Sequence, residues 1–467
     1  MKKEIESFIN YFADKMINGK ASFFIGSGIS KSSGYYGWED FLADKAEEIG
    51  LSIAKEKDLI MLAEYYIDNK ARTKINESIK KCFADEIGQI NNIHKMISSL
   101  PFNSIWTTNY DSLIERSLKI ADRSYNVITT DESYRDINSD AEVMIYKIHG
   151  TYNSPKECVL ARNDYENYCN NHQVVISQLT AEMCYKSFLF LGYGFRDADI
   201  NHIFAKIRKI YDNQNPIQHF CIMKNVSKKY NGVEMSEEEY IYELKKQQLY
   251  ISDMKKYGIE VLLVEEYSEI DSIIVQIRKK VYSKSVLISG SSKTYDEFTA
   301  KIIEQLTKKL IKNKYTIVTG YGENIGPMIV NGYFEGCYTK VNSPILKFSN
   351  TIKIIPFPFK VNTEAKEIVY DNLRNNMAGI TTIQIIFCGK KDRKNGVYKE
   401  YEMCKEENHL IIPVAISGGA AELIWEEMNN EKENFNKDFF GLNNKSNYDN
   451  IVECIFNIIK KGSVYDG

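Results

Sequence analysis

Three short stretches carry residue types that can do chemistry together: Phe23 to Ser30 (FFIGSGIS), Thr107 to Asp111 (TTNYD) and Tyr146 to Gly150 (YKIHG). Each follows or contains an apolar run of strand type. In the first, Gly26 and Gly28 allow the backbone close to a bulky anion, and the helix start beyond them offers unpaired N–H groups and a positive dipole end, which suits a pyrophosphate. A GxG turn also serves as a plain strand-to-helix connection. In the second, Asn109 projects from the carboxyl end of a strand, where α/β sheets bind ligands, and its amide can orient a water or a ribose hydroxyl. The structural alternative is that Asn109 makes a turn and Asp111 caps the next helix. In the third, His149 stands at a strand end beside Gly150, a setting that favours a general base over a surface histidine. His94, His172, His202, His219 and His409 have no such setting.

A fourth stretch, Leu189 to Asp199 (LFLGYGFRDAD), ends a strand in GYG. Gly192 and its neighbouring backbone can hold the adenosine half of a dinucleotide; Arg196 and Asp197 can equally pair with each other. In order, the four stretches describe a dinucleotide-cleaving site with a phosphate cradle, a positioning amide and a base.

The elements that must position these residues alternate between strand and helix. A strand from Ala21 leads through the glycines to helical segments up to about Phe83. Ile93 to Leu100 is helical, Phe102 to Thr107 a strand, and Asp111 to Ile120 a helix again. Val143 to Ile148 and Ser187 to Leu191 are further buried strands, and Glu260 to Val264 is an outer one within a polar stretch rich in Lys, Glu and Tyr. Strands alternating with helices predict a parallel, doubly wound sheet covered on both faces.

The same grammar restarts at Ser285. VLISGSS places Ser289, Gly290, Ser291 and Ser292 at a helix start, and TGYGENIGPM repeats the arrangement one strand later with Gly320, Gly322 and Gly326. Strands are expected near Tyr315 to Thr319, Thr351 to Ile355, Thr382 to Phe387 and Leu410 to Ala415. Two glycine loops at one sheet edge predict a nucleotide-sized pocket. Arg374, Lys390 and Lys391 suit a diphosphate and Glu400 suits ribose hydroxyls, although solvated side chains would read the same way. The chain is therefore read as two α/β domains, residues 1–283 and 284–467.

A length of 467 residues favours two domains over one. Sixty Lys and Arg against 63 Asp and Glu leave a net charge of −3, which disfavours general attraction to nucleic acid or an anionic membrane. The nine cysteines form no CxxC pair and no zinc-ligand spacing, so reduced thiols, no zinc and a cytoplasmic location are expected. Ile5, Phe8, Ile9, Phe12, Met16 and Ile17 recur at helical spacing between charged residues, which predicts an amphipathic helix rather than a targeting signal. No apolar run approaches the ~18 residues of a spanning helix.

GSGIS, TTNYD, KIHG and LGYGFRD, in this order, resemble the sirtuin-type NAD-binding fold over roughly residues 1 to 283. The resemblance implies NAD contacts at Gly26, Ser27, Gly28, Ile29, Asp111 and Gly192, with Asn109 against the nicotinamide ribose and His149 as catalytic base. Sirtuin deacylases carry a four-cysteine zinc module after the catalytic histidine; here Cys158, Cys169 and Cys184 stand singly. Water is then the simplest acceptor, and the expected activity is an NAD glycohydrolase with no cofactor beyond its substrate. An NAD-dependent deacylase or ADP-ribosyltransferase is the rival enzyme, and a non-catalytic NAD sensor the rival of another class.

The second half is similar to the SLOG group, but neither Gly389 to Glu400 nor Ser417 to Glu426 fully matches that group's PGGxGTxxE loop. This favours a sensor domain, with Ser289, Gly290, Ser291, Gly320, Gly322, Arg374, Lys391 and Glu400 as ligand contacts. Together the halves resemble the sirtuin–SLOG effectors of Thoeris antiphage systems. That family implies activation by a cyclic ADP-ribose isomer made by a TIR-domain partner, a homotetramer, and NAD depletion on infection.

Overall fold

Strands of unbroken Phe, Ile and Leu with no polar alternation must be covered on both faces, which is the condition of an inner parallel strand. Ala21–Ile25 (β1) and Ser187–Leu191 (β5) are buried at every position. In chain order the remaining first-half strands are Ser104–Thr107 (β2), Tyr125–Ile128 (β3), Val143–Lys147 (β4) and His219–Lys224 (β6). After them come the short Lys229–Tyr230 (β7) and Val233–Glu234 (β8), and Ile259–Val264 (β9). The computed structural model describes residues 3–465 except 196–197, 211–216, 231–232, 295, 338–350, 359–362, 431–436 and 445–446, and except the side chains of 169–171, 198–202, 210, 230, 233, 363–364 and 463–465. Arg196, Asp197 and the side chains of Cys169 and His202 therefore lie outside the described residues.

The chain divides into two compact units, Met1–Ile277 and Arg278–Gly467, a few residues ahead of the break expected from sequence. In the first, seven parallel strands run in the order β3-β4-β2-β1-β5-β6-β9, with β7 and β8 forming a separate antiparallel pair. The chain leaves β1 towards β2 and leaves β5 towards β6 on the other side. The topological switch point, where open α/β sheets bind ligands, thus lies between β1 and β5. The helix Lys3–Ile17 buries Ile5, Phe8, Ile9, Phe12, Ala13 and Met16, whereas Ile17 at its end is exposed.

At the amino end of β2, Glu182 pairs with Lys186 at 3.0 Å and accepts hydrogen bonds from Ser104 Oγ (2.7 Å) and Trp106 Nε1 (3.0 Å). Lys186 also donates to Asn103 Oδ1 and Ser104 Oγ. A buried ion pair is tolerated when its remaining lone pairs and protons are satisfied, and here they pin one end of the strand whose other end carries Asn109.

His219 on β6 is fully buried; its Nδ1 accepts the Phe188 N–H, and burial lowers its pKa from 6.5 to about 4. The unfolded chain binds this proton first, so the stability the group contributes is intact above pH 6.5 and is lost as pH falls towards 4. Full titration corresponds to a loss on the order of 3 kcal/mol. Denaturant midpoints measured between pH 7 and 4 are expected to show a shallower acid slope in His219→Gln.

The second unit has strands Ser285–Ser291 (β10), Thr316–Thr319 (β11), Ile352–Ile354 (β12), Ile383–Cys388 (β13) and Leu410–Pro413 (β14). They are all parallel, in the order β12-β11-β10-β13-β14. Its switch point lies between β10 and β13. The core packs Ile302, Ile303, Leu306 and Leu310 of one helix with Ile325, Met328, Ile329 and Tyr333 of another against this sheet.

Candidate functional site

Strand register aligns the chemistry. Ile25 pairs with Thr107 and with Leu191, and Thr107 pairs with Lys147, so four strand ends stand in one row. The segments holding Gly26, Asn109, His149 and Gly192 all leave the sheet from that edge, and Asn109 and His149 each stand two residues beyond a paired strand end.

Beyond β1, the Gly26 N–H donates to Leu191 O (2.8 Å) and the Gly28 N–H to Gly192 O (3.0 Å). A Cβ on Gly26 would lie 2.6 Å from Tyr193 Cα, one on Gly28 2.9 Å from Gly192 Cα, and one on Gly192 (φ +64°) 2.6 Å from the Ile29 nitrogen. These three glycines are therefore demanded by each other, because two loops meet backbone to backbone at the switch point. From the sequence, Gly26 and Gly28 were expected for the approach of an anion or as a plain strand-to-helix turn, and Gly192 for contact with an adenosine; their packing on each other was not foreseen. Ser27 and Gly28 are exposed and Ile29 is buried.

Ser30, two residues on, joins the loops after β1 and β2. Its Oγ donates to Asp111 Oδ2 at 2.7 Å and accepts from Asn109 Nδ2 at 2.8 Å. The other Asp111 oxygen accepts the Leu113 N–H (3.0 Å) at the start of helix Leu113–Ile120; the N-cap position itself is Ser112, so Asp111 binds the first helical N–H from one residue ahead of the cap. The Asn109 N–H is held by Thr107 Oγ1 (3.0 Å), whose hydroxyl donates to Ile25 O (2.8 Å). With Nδ2 donating to Ser30 and the backbone N–H to Thr107, Asn109 leaves Oδ1 buried and without a hydrogen-bond partner among the described residues. An amide oxygen has acceptor capacity and no proton to donate, so this position can take only a donor.

His149 follows β4. Gly150 takes φ +87° and its N–H returns to Lys147 O (3.0 Å), turning the chain so that His149 O accepts the Val159 N–H (3.0 Å). The His149 ring, 7% exposed, meets Tyr165 and Tyr168 edge to face at 5.6 and 6.1 Å. The two tyrosines fix its plane.

In the second unit, Ser289, Arg374 and Glu400 come together out of water. Gln384 Nε2 donates to Ser289 Oγ (2.9 Å), and Ser289 also hydrogen-bonds Glu400. Burial pushes the Glu400 carboxyl pKa up, against the Ser289 hydrogen bond and the Arg374 charge, which lower it. Arg374 pairs with Asp371 at 2.7 Å and lies over the Phe357 and Tyr370 rings at 5.3 and 5.6 Å. Its Nε and Gln384 Oε1 are buried without hydrogen-bond partners among the described residues. Gly290 and Gly322 touch, since a Cβ on Gly322 would fall onto the Gly290 carbonyl, and a Cβ on Gly320 would lie 2.6 Å from the Phe357 ring. Ser291 O accepts the Gly389 N–H (2.9 Å). Lys391 is exposed and paired with Glu422 (3.0 Å) and Glu426 (3.6 Å). Lys390 is exposed.

Residues 103–251 match a family model described as a SIR2-like domain, and residues 269–462 match the Sir2- and TIR-associating SLOG family. The relative named NAD(+) hydrolase ThsA in Bacillus cereus (strain MSX-D12) is 32% identical over 93% of this chain and 92% of its own. The chain belongs to the ThsA family of NAD(+) hydrolases. Members of the same name in Enterococcus faecium and Cytobacillus dafuensis are 32% and 29% identical, over 94% and 95% of this chain and 93% and 92% of theirs.

In this ThsA-type chain, sequence reasoning passed over two residues that bond to the loop carrying Asn109. Ser30 was part of GSGIS but carried no role. Lys147 stood inside YKIHG, and a lysine ending an apolar strand was itself the signal. Among the described residues no group of three or more His, Cys, Asp or Glu is placed to hold a metal ion. Cys158 instead donates to Thr151 O (3.3 Å), and burial raises its thiol pKa to about 12. No helix of the described residues is long and apolar enough to cross a membrane.

Proposed function

We propose that the first unit cleaves NAD between ribose C1′ and the nicotinamide nitrogen and gives the ribosyl centre to water. The bond's electron pair goes to the pyridinium nitrogen, so nicotinamide leaves neutral and needs no acid. Water adds its oxygen to C1′ and gives up one proton, for which His149 is the base; the products are ADP-ribose, nicotinamide and a proton. The observation that carries this reading is Asn109 Oδ1, buried, unpartnered and held in place by the Ser30 link. It can accept the hydrogen of a ribose hydroxyl or of the attacking water, and positioning of this kind lowers a barrier without strong acid chemistry. Gly26, Ser27, Gly28, Ile29, Asp111 and Gly192 then border the NAD.

The Ser289–Gln384–Glu400–Arg374 cluster supports a regulatory nucleotide site in the second unit, with Gly290, Ser291, Gly320 and Gly322 around it and Lys391 at its margin. The ligand we assign is a cyclic ADP-ribose isomer supplied by a TIR-domain protein, in keeping with the TIR association in the family's description. The working form is a cytoplasmic homotetramer acting in Thoeris antiphage defence. A hydrolase that empties the NAD pool needs such a gate.

The test is nicotinamide release from NAD with and without cyclic ADP-ribose isomers, in the presence and absence of an acyl-lysine peptide. ADP-ribose formation stimulated by an isomer and indifferent to peptide is expected; O-acyl-ADP-ribose would reassign the chain as a deacylase. Arg374→Glu is expected to weaken isomer binding about 100-fold or more, because it reverses the charge facing a diphosphate. Isothermal titration with an unchanged affinity would remove Arg374 from the pocket.

A further inference from the structure

Lys147 is the last residue of β4 and its side chain is 0% exposed. A buried ammonium survives only if its three protons are taken up. They are: Nζ donates to the carbonyl of Asp111, to Tyr110 O (3.4 Å) and to Glu115 Oε1 (2.9 Å). Two of the three acceptors are backbone groups of the loop that carries Asn109, and the third opens the helix that loop enters. Tyr110 O also accepts the Tyr152 N–H (3.0 Å) and the Thr151 hydroxyl (3.3 Å), both from the segment just beyond His149.

We infer that Lys147 is a positioning residue for the hydrolytic site: its ammonium holds the Tyr110 and Asp111 peptides so that Asn109 and His149 keep one spacing. Among the described residues the two loops are also joined by the Ile148 N–H to Thr107 O bond (3.0 Å) at their roots, by the Tyr152 and Thr151 contacts at Tyr110 O and by the Tyr110 hydroxyl, which donates to Val159 O (2.6 Å); none of these reaches the Asp111 carbonyl, which the ammonium holds. A charge-assisted grip on successive carbonyls fixes the direction of the Asp111 peptide, and hence the Ser30 link that orients Asn109. The inference rests on the reading that Asn109 serves the reaction. It goes beyond that reading in assigning the geometry to a residue that never meets the substrate.

Lys147→Met alone would strand Glu115 and is expected to destabilise the fold. The informative variant is therefore Lys147→Met with Glu115→Leu, since replacing both partners of a buried pair by apolar groups of similar volume is often close to neutral for stability. In this double variant we expect a melting temperature near that of the unsubstituted chain, KM for NAD within about threefold, and kcat lower by about 100-fold, the scale of a small misplacement of reacting groups. Glu115→Gln keeps the ammonium on the two carbonyls and is expected to retain kcat within about threefold. Wild-type kcat in a folded double variant would overturn the inference, as would a kcat loss in Glu115→Gln equal to that of the double variant. If the double variant fails to fold, Glu115→Gln decides by itself: kcat within about threefold of wild type supports the grip of the ammonium on the two carbonyls, and a loss of about 100-fold overturns the inference. Asn109→Ala is assayed in parallel: full activity there removes the hydrolytic reading itself, whatever Lys147 does.

Discussion

Replacing Asn109 by alanine is expected to lower kcat for nicotinamide release by about 10²–10³-fold, the range seen when one preorganised polar group is removed from a reacting centre. The substitution deletes the unpartnered Oδ1 and also the Nδ2 donor to Ser30. Only the second loss touches the fold, and a single neutral hydrogen bond is worth about 1 kcal/mol. Ser30 keeps its bond to Asp111, and Asp111 keeps the Leu113 N–H at the start of the following helix. A melting curve close to that of the unsubstituted chain should therefore accompany the large kinetic loss. Rapid-quench measurement of nicotinamide under saturating NAD is the check, and a kcat within threefold of wild type would take Asn109 out of the chemistry.

His149→Ala is the second large effect, at about 10²–10⁴-fold in kcat, the usual contribution of a positioned general base. Two features make the residue suited to that role. It stands two residues past a strand end that is in register with the strand leading to Asn109, and its ring is set between Tyr165 and Tyr168. Removing the ring leaves a gap against those tyrosines, so some stability is lost as well. His149→Gln fills more of the gap without supplying a base, and it should recover stability but not rate. NAD binding followed by calorimetry is expected to persist in both variants. Equal turnover in His149→Gln and the unsubstituted chain would show that water is deprotonated elsewhere.

Lys147 and Arg374 sharpen what these two experiments mean. Each is a cation placed almost wholly out of water, and each is committed to several partners rather than one. Lys147 is bound to the loop of the cleaving site, whereas Arg374 retains an unpartnered Nε in the second unit. A loss of turnover at the first with intact isomer binding, and at the second a loss of isomer binding and stimulation with basal turnover unchanged, would separate catalysis from its control.

Much of this was legible in the residues. Inner strands such as Ala21–Ile25 and Ser187–Leu191 announce themselves because both faces are covered and no alternation is needed. β3 and β6 were not foreseen. Tyr125–Ile128 is a half-buried edge strand of four residues that includes Asn126, and His219–Lys224 begins with a histidine whose burial no local pattern signals. The strand expected from Phe102 starts only at Ser104, just beyond Pro101 and Asn103.

The sequence by itself determined two parallel α/β layers, the glycine turns, and the order of Gly26, Asn109, His149 and Gly192 along the chain, because hydrophobic run length and turn chemistry are local properties. Only the tertiary structure decided that Ile25, Thr107, Lys147 and Leu191 end in one row, since register depends on pairing between strands far apart in the chain. It alone decided that Gly26, Gly28 and Gly192 are small for each other's sake, that Lys391 belongs to Glu422 and Glu426, and that Ser30 and Lys147 hold the site together. Those facts reside in distances between segments as much as 166 residues apart, as Ile25 and Leu191 are, and burial makes each unsatisfied polar group costly enough to fix its partner.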